Sequence, residues 1–266
     1  MKEVYRIMFR YVQSEWLKTK SLGIMRQNLL FLFFAGIITI GFSFTSLNNN
    51  AVASLFNWLS FLLINLLIPI IVHTIYNHEK RSTDFKNLQI PKNNRSYEWF
   101  SKMLVITFYY ASFLILFSGL ALGINLLFPY TSGVVICLST MLIFVTSLWQ
   151  VPFVLFLERK SNFLITLIIN FIFGTLLTVF FGDGDLYKVI PWTWPSRAIM
   201  PTLNVSISGS IIDQNDPMIV STNSSYLVIA AVILGIVLSL LFIDRKGVKH
   251  EKKYPTNEGR KFFTKA

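Results

Sequence analysis

Residues 77–102, NHEKRSTDFKNLQIPKNNRSYEWFSK, form the longest charged interval between two apolar runs in this chain of 266 residues. The interval follows Ile-Val-His-Thr-Ile-Tyr and leads directly into Met-Leu-Val-Ile-Thr-Phe-Tyr-Tyr, so apolar sequence adjoins both of its ends. A segment this polar is expected to be fully solvated, and it must then lie on one face of a membrane. The pattern predicts a large loop between two membrane-spanning helices.

The composition supports a membrane protein. Hydrophobic residues make up 53% of the chain and charged residues only 14%, whereas soluble proteins carry about 25% charged residues. The net charge of +11 would also fit a nucleic-acid binder. The basic residues lie between the apolar runs, however, and the positive-inside rule explains that distribution better, so no nucleic-acid partner is expected.

Six segments without Lys, Arg, Asp or Glu are long enough to cross a membrane, which takes about 20 helical residues. These segments are 27–46, 52–76, 103–128, 133–157, 162–181 and 226–243. The sequence therefore predicts an all-α membrane protein with six transmembrane helices.

The basic residues predict how these helices are oriented. The intervals 1–26, 77–102, 158–161 and 244–266 hold 22 of the 24 Lys and Arg residues. Basic residues concentrate on the cytoplasmic side, so both termini should be cytoplasmic. Residues 182–225 then form the one long outer segment.

The chain divides into three predicted regions around this bundle. Residues 1–26 place Val4, Met8, Val12 and Trp16 four apart, as in an amphipathic helix at the membrane interface. That helix is either an elbow that moves with a transport domain or a passive anchor on anionic lipid. Residues 27–246 form the six-helix domain, and 247–266 form a basic cytoplasmic tail.

Polar residues in the second span mark a face that should point into the bundle. Asn65, Pro69 and His73 follow one another at steps of four and share one helix face. His73 could serve as a proton relay or metal ligand, but no carboxylate or cysteine is near it in sequence. A hydrogen-bonded packing role is therefore favoured, and no metal site is predicted.

The fifth span carries a longer stripe of small and polar residues at steps of four. Its members are Asn162, Thr166, Asn170, Gly174, Thr178 and Gly182. We interpret the stripe as a protein-facing seam. Spacing alone does not decide whether it packs within this chain, meets a second subunit or lines a substrate path.

The chemistry of the predicted spans argues against an enzyme or an ion-coupled carrier. Ionisable groups inside a bundle are costly and usually functional, and the six spans contain no acid or base other than His73. The chain also lacks a His-Glu-x-x-His motif, a Gly-x-Ser-x-Gly motif and a P-loop. No catalytic residue or bound cofactor is expected, so any ATP and magnesium would belong to a partner.

Two motifs and the order of spans resemble a known family. One motif is Glu79-Lys-Arg-Ser-Thr-Asp-Phe-Lys-Asn-Leu-Gln-Ile-Pro91, and the other is Pro191-Trp-Thr-Trp-Pro195 followed by Arg197. With the amphipathic start and the long outer segment, they resemble the membrane subunits of ABC-2 type transporters. Within these, the chain is most similar to permeases of bacteriocin (lantibiotic) immunity systems in Gram-positive bacteria.

The resemblance implies a multi-pass permease in a Gram-positive plasma membrane. It implies a second permease, the same or related, and two copies of an ATPase subunit. The 77–102 loop would carry the ATPase-coupling helix, with Glu79, Asp84, Lys86, Leu88 and Pro91 in it. Immunity permeases remove an amphipathic antimicrobial peptide from the membrane to the outside.

Several alternatives stay open. In the outer segment Trp192, Trp194 and Arg197 are candidates for substrate contact, although aromatic residues there also suit a plain interface anchor. Another amphiphile, such as an antibiotic or a lipid, fits the same physics as a peptide. A non-transport membrane sensor is a further alternative, and an intramembrane hydrolase is disfavoured by the missing acids.

Overall fold

The computed structural model describes residues 2–45, 50–83 and 95–244. These residues are mostly helical, and the only β-type pairing among them is an isolated bridge between Val205 and Ile211. The helices are α1 Lys2–Thr19, α2 Ile24–Thr45, α3 Ala51–Trp58, α4 Ile64–Thr83, α5 Arg95–Leu127, α6 Gly133–Ser147, α7 Gln150–Lys160, α8 Phe163–Leu167, α9 Gly174–Phe181, α10 Trp194–Leu203, α11 Pro217–Val220 and α12 Ser224–Asp244. Two π-helical turns, Leu59–Leu63 and Ile168–Phe173, join α3 to α4 and α8 to α9. Short 3₁₀ turns occupy Asp185–Lys188 and Pro191–Thr193.

The predicted all-helical fold is confirmed. In the described part, five helices are long and apolar enough to cross a membrane, namely Ala51–Arg81, Ser96–Leu127, Gly133–Lys160, Phe163–Phe181 and Ser224–Leu241. A sixth span is counted if α1 and α2, which meet at 66°, are taken together. Gly23 lies at that bend with φ +69°, a conformation that glycine adopts without steric cost.

The expectation that residues 77–102 are fully solvated is wrong. Helix α4 continues to Thr83 and α5 begins at Arg95, so the remaining connection is 84–94. Glu98 and Lys102 on α5 are buried, and the ion pair between them at 2.7 Å compensates for the loss of water around the two charges. The predicted coupling residues Asp84, Lys86, Leu88 and Pro91 lie outside the described residues.

The helix 51–81 lies at the centre of the bundle. Its most apolar window is 72% buried, against 22% for 163–181 and 11% for 224–241. Its Leu55, Phe56 and Leu59 pack with Phe113 and Phe117 of α5 in one apolar core. The two peripheral helices expose large apolar side chains, as expected of surfaces that face lipid.

The two ends of the bundle differ in the segments that they contain. The basic end is the end where α4 finishes, α5 starts and α7 finishes. The loop end is the opposite end, where α9 finishes, residues 182–223 lie and α12 starts.

Candidate functional sites along the bundle

A buried cluster of charged side chains lies at the basic end. Lys102 Nζ lies 2.7 Å from Glu98 Oε1, 3.0 Å from Glu79 Oε1 and 3.7 Å from Glu15 Oε2. Lys18 makes a second ion pair with Glu15 at 2.6 Å. All four residues of the Lys102 group are largely buried, so the ammonium is shared among three carboxylates with little help from water.

The Lys102 cluster joins three separate helices. Glu15 is on α1, Glu79 is near the end of α4, and Glu98 and Lys102 are one turn apart on α5. The carboxylate oxygens of the three acids lie within 4.8 Å of one another, as ligands of a metal ion would. The Lys102 ammonium contacts all three, so it is the cation that this cluster holds. Glu79, predicted to contact an ATPase, is thus engaged within the chain.

Helix α1 is also fixed to α5 by aromatic packing. The Trp16 ring stacks on Tyr109 at 5.3 Å between centroids and meets the edge of Phe108 at 4.9 Å. Tyr109 Oη donates a hydrogen bond to Thr19 Oγ1 at the end of α1. These contacts, together with the ion pair between Glu15 and Lys102, hold α1 against α5.

His73 has a partner that its sequence neighbourhood does not reveal. Its Nδ1 lies 2.7 Å from Oε1 of Glu158, which is 85 residues away on α7. Glu158 is only 4% exposed, and its Oε2 has no hydrogen-bond partner among the described residues. Glu158 belongs to the interval 158–161 between two predicted spans, but α7 continues to Lys160 and this side chain is buried, next to His73 of α4.

Three amide side chains are hydrogen-bonded to one another in the middle of the bundle. Gln150 Nε2 donates to Asn65 Oδ1 at 3.0 Å. Asn170 Nδ2 donates to Gln150 Oε1 at 3.2 Å and to the Asn65 carbonyl at 3.0 Å. All three residues are fully buried. The network connects the second, fourth and fifth predicted spans.

The outer segment completes this network. Trp192 Nε1 donates to Asn170 Oδ1 at 3.2 Å, and the indole ring lies against Gly174. A Cβ built on Gly174 would lie 2.5 Å from Trp192 Cδ1, so only glycine leaves room for the ring. Trp192 therefore extends into the bundle. A tryptophan that only anchored the segment in lipid, or that was fully exposed to substrate, would not be packed there.

Most of the residues that spacing predicts to form a helix seam are buried. Asn65, Thr166, Asn170 and Gly174 are buried inside this chain, and the His73 side chain is 30% exposed. The fifth-span stripe from Thr166 onward therefore packs within the chain, which the spacing had left open.

Arg197 and Trp194 stabilise the folded outer segment. Arg197 is 1% exposed and donates to the carbonyls of Gly182 and Met218, with its guanidinium 4.5 Å from the Tyr187 ring centroid. Burial lowers the pKa of this guanidinium from its usual value. Trp194 is 5% exposed and donates to the Tyr187 carbonyl. Both predicted contact residues are thus internal to the segment.

Comparisons with protein-family models, curated proteins and solved structures give no match to this chain. The family resemblance consequently rests on the two motifs and the order of spans.

Proposed function

We propose that this chain is the membrane-spanning permease subunit of an ATP-driven exporter of an amphipathic antimicrobial peptide. It works with two copies of an ATPase subunit that supply ATP and magnesium, and with a second permease, the same or related. The protein is a multi-pass component of a Gram-positive plasma membrane, with its basic end toward the cytoplasm. In this proposal the chain itself catalyses no reaction.

The observation that carries this proposal is the connection of three helices through Lys102. Helices α4 and α5 flank the connection 84–94, and Glu79 and Lys102 join them 3.0 Å apart. Glu15 adds α1 to the same unit. A force applied to 84–94 by a partner would therefore move α1, the end of the second span and the start of the third span together.

An amphipathic peptide suits the remaining features of the molecule. Such a peptide enters the membrane interface by burying its apolar side chains there, so an exporter can take it laterally from the bilayer. The central amide network gives the bundle a polar interior between apolar outer faces. It also links the folded outer segment to the helices through Trp192.

The ATPase partnership predicts a co-purification result. Tagged full-length chain from its native cells should bring down a P-loop ATPase, and Leu88→Asp should reduce the amount about tenfold, equivalent to about 1.4 kcal/mol of binding. The physical reason is that Leu88 lies in the motif assigned to ATPase contact, where a new charge would be desolvated. Lys261→Ala in the C-terminal tail is the control and should change little. Full ATPase recovery with Leu88→Asp would contradict the coupling role of this motif.

The proposed orientation predicts which positions react with a membrane-impermeant thiol reagent. In a Cys137→Ser background, a cysteine at Asn215 should be labelled in intact cells, because its loop would face outward. A cysteine at Asn93 should react only after the cells are opened. Labelling of position 93 and not 215 in intact cells would reverse the topology.

A further inference from the structure

A pocket of about 430 Å³ opens at the loop end of the bundle. It lies between the start of the 51–81 helix, the end of α9 and residues 207–209 of the outer segment. Its wall includes Asn57, Trp58, Phe61, Asp183, Ile207 and Ser208. The volume is in the range of small-ligand sites, which are mainly apolar with a few placed polar groups.

The outer segment closes one side of the pocket through Gly209. This residue has φ +85°, and its ideal Cβ position lies 3.0 Å from Asn57 Nδ2. A side chain here would strain the backbone and displace the buried Asn57 amide. The wall also includes the rings of Trp58 and Phe61, whose centroids lie 5.3 Å apart at an interplanar angle of 37°. The pocket therefore combines a fixed polar wall with an aromatic one.

The charged side chain among the described residues that line the pocket is the carboxylate of Asp183. Asp183 is exposed and has no hydrogen bond or ion pair within the described residues. No lysine or arginine is among the described residues that line the pocket. Arg197 donates to the neighbouring Gly182 carbonyl and interacts electrostatically with Asp183, but its guanidinium is buried and is not part of the pocket wall. A positively charged ligand group would be the natural complement of Asp183.

We propose that this pocket binds a lysine side chain of the amphipathic peptide. The tetramethylene stem lies against Trp58 and Phe61, and the ammonium reaches Asp183 and the adjacent hydroxyl and amide groups. Lysine is suited to this arrangement because its stem packs on apolar surface while its charged end stays in water, and aromatic faces attract ammonium groups. This inference rests on the proposed function, and it names the part of the substrate that the loop end recognises.

The test measures protection of a cysteine at the pocket rim. Full-length Ser208→Cys in a Cys137→Ser background is placed in phosphatidylcholine nanodiscs and labelled with an anionic methanethiosulfonate. n-Hexylamine, which mimics the lysine stem and ammonium, should slow labelling. Its uncharged analogue n-hexanol should need about fivefold more ligand for the same slowing, the upper range for an exposed ion pair. A cysteine at Asn215, outside the pocket, should be unaffected by either compound.

Two substitutions distinguish the contribution of the Asp183 charge from the contribution of the aromatic wall. Asp183→Asn should remove the preference for the amine, whereas Asp185→Asn, two residues away and outside the lining, should retain it. Trp58→Leu should weaken protection by the amine and the alcohol alike. Equal potency of the two compounds on the unaltered pocket, or a preference that survives Asp183→Asn, would overturn the proposal.

The lipid headgroup is the competing source of an ammonium. If phosphatidylethanolamine in the nanodisc slows labelling without hexylamine, the pocket holds a headgroup and the proposal is overturned. The measurement uses the isolated chain. Its failure therefore leaves the ATPase co-purification result standing, and loss of that partnership leaves the binding result standing.

Discussion

Lys102→Met is expected to destabilise the folded chain by about 3 kcal/mol or more, the usual cost of removing one partner from a buried ion pair. The reason is that Glu15, Glu79 and Glu98 would remain close together without the ammonium that they share. Thermal unfolding of the detergent-solubilised protein, followed by tryptophan fluorescence and by the size-exclusion profile, measures the effect.

A second lysine provides the matched control for this prediction. Lys188 pairs with Asp185 at 3.5 Å, but both side chains are well exposed, and exposed pairs contribute about 0–1 kcal/mol. Lys188→Met should therefore lower the unfolding temperature far less than Lys102→Met. Adding Glu98→Gln to Lys102→Met should recover part of the loss by removing one unpaired charge. Equal unfolding temperatures of the two lysine variants would show that the cluster is not desolvated.

Asn170→Leu is expected to destabilise the bundle by about 2 kcal/mol. It removes the donors to Gln150 Oε1 and the Asn65 carbonyl and the acceptor of Trp192 Nε1. An unsatisfied buried group costs about 1–3 kcal/mol, although side-chain bonds in membrane proteins average nearer 0.6 kcal/mol. The same unfolding measurement applies, with Asn215→Leu in the exposed loop as the control.

The network also predicts that the destabilising effects of two substitutions within it are not additive. Asn170→Leu combined with Gln150→Leu should cost less than the two single changes together, because the double variant leaves fewer polar groups without partners. Strict additivity would mean that the amides do not act as one network.

The apolar runs were sufficient to predict the helical fold, since long uncharged segments must satisfy their backbone hydrogen bonds internally. The buried faces of the second and fifth spans were also visible, because Asn65 and Asn170 interrupt apolar sequence at helical spacing. What could not be predicted was pairing between distant segments. Asn65 is hydrogen-bonded to Gln150, and His73 to Glu158, each pair being 85 residues apart in sequence. No local sequence pattern encodes such contacts.

The burial of charge at the basic end could not be predicted for a related reason. Glu98 and Lys102 have the spacing of an intrahelical ion pair, but the same spacing is common on solvated helices. Only the docking of α1 and the end of α4, which bring Glu15 and Glu79, removes this pair from water. In the outer segment, the burial of Arg197 likewise depends on carbonyl groups supplied by Gly182 and Met218.

The π turn at Ile168–Phe173 sets the rotational phase of the fifth span. In an uninterrupted α-helix, residues four apart drift by about 40° per step, so Gly182 would lie about 160° around the axis from Thr166. A π turn accommodates one extra residue, which reduces that offset to about 60°. Thr166, Asn170, Gly174, Thr178 and Gly182 are all buried on one side for this reason. A stripe with a strict period of four is thus itself the signature of a helix that is locally underwound.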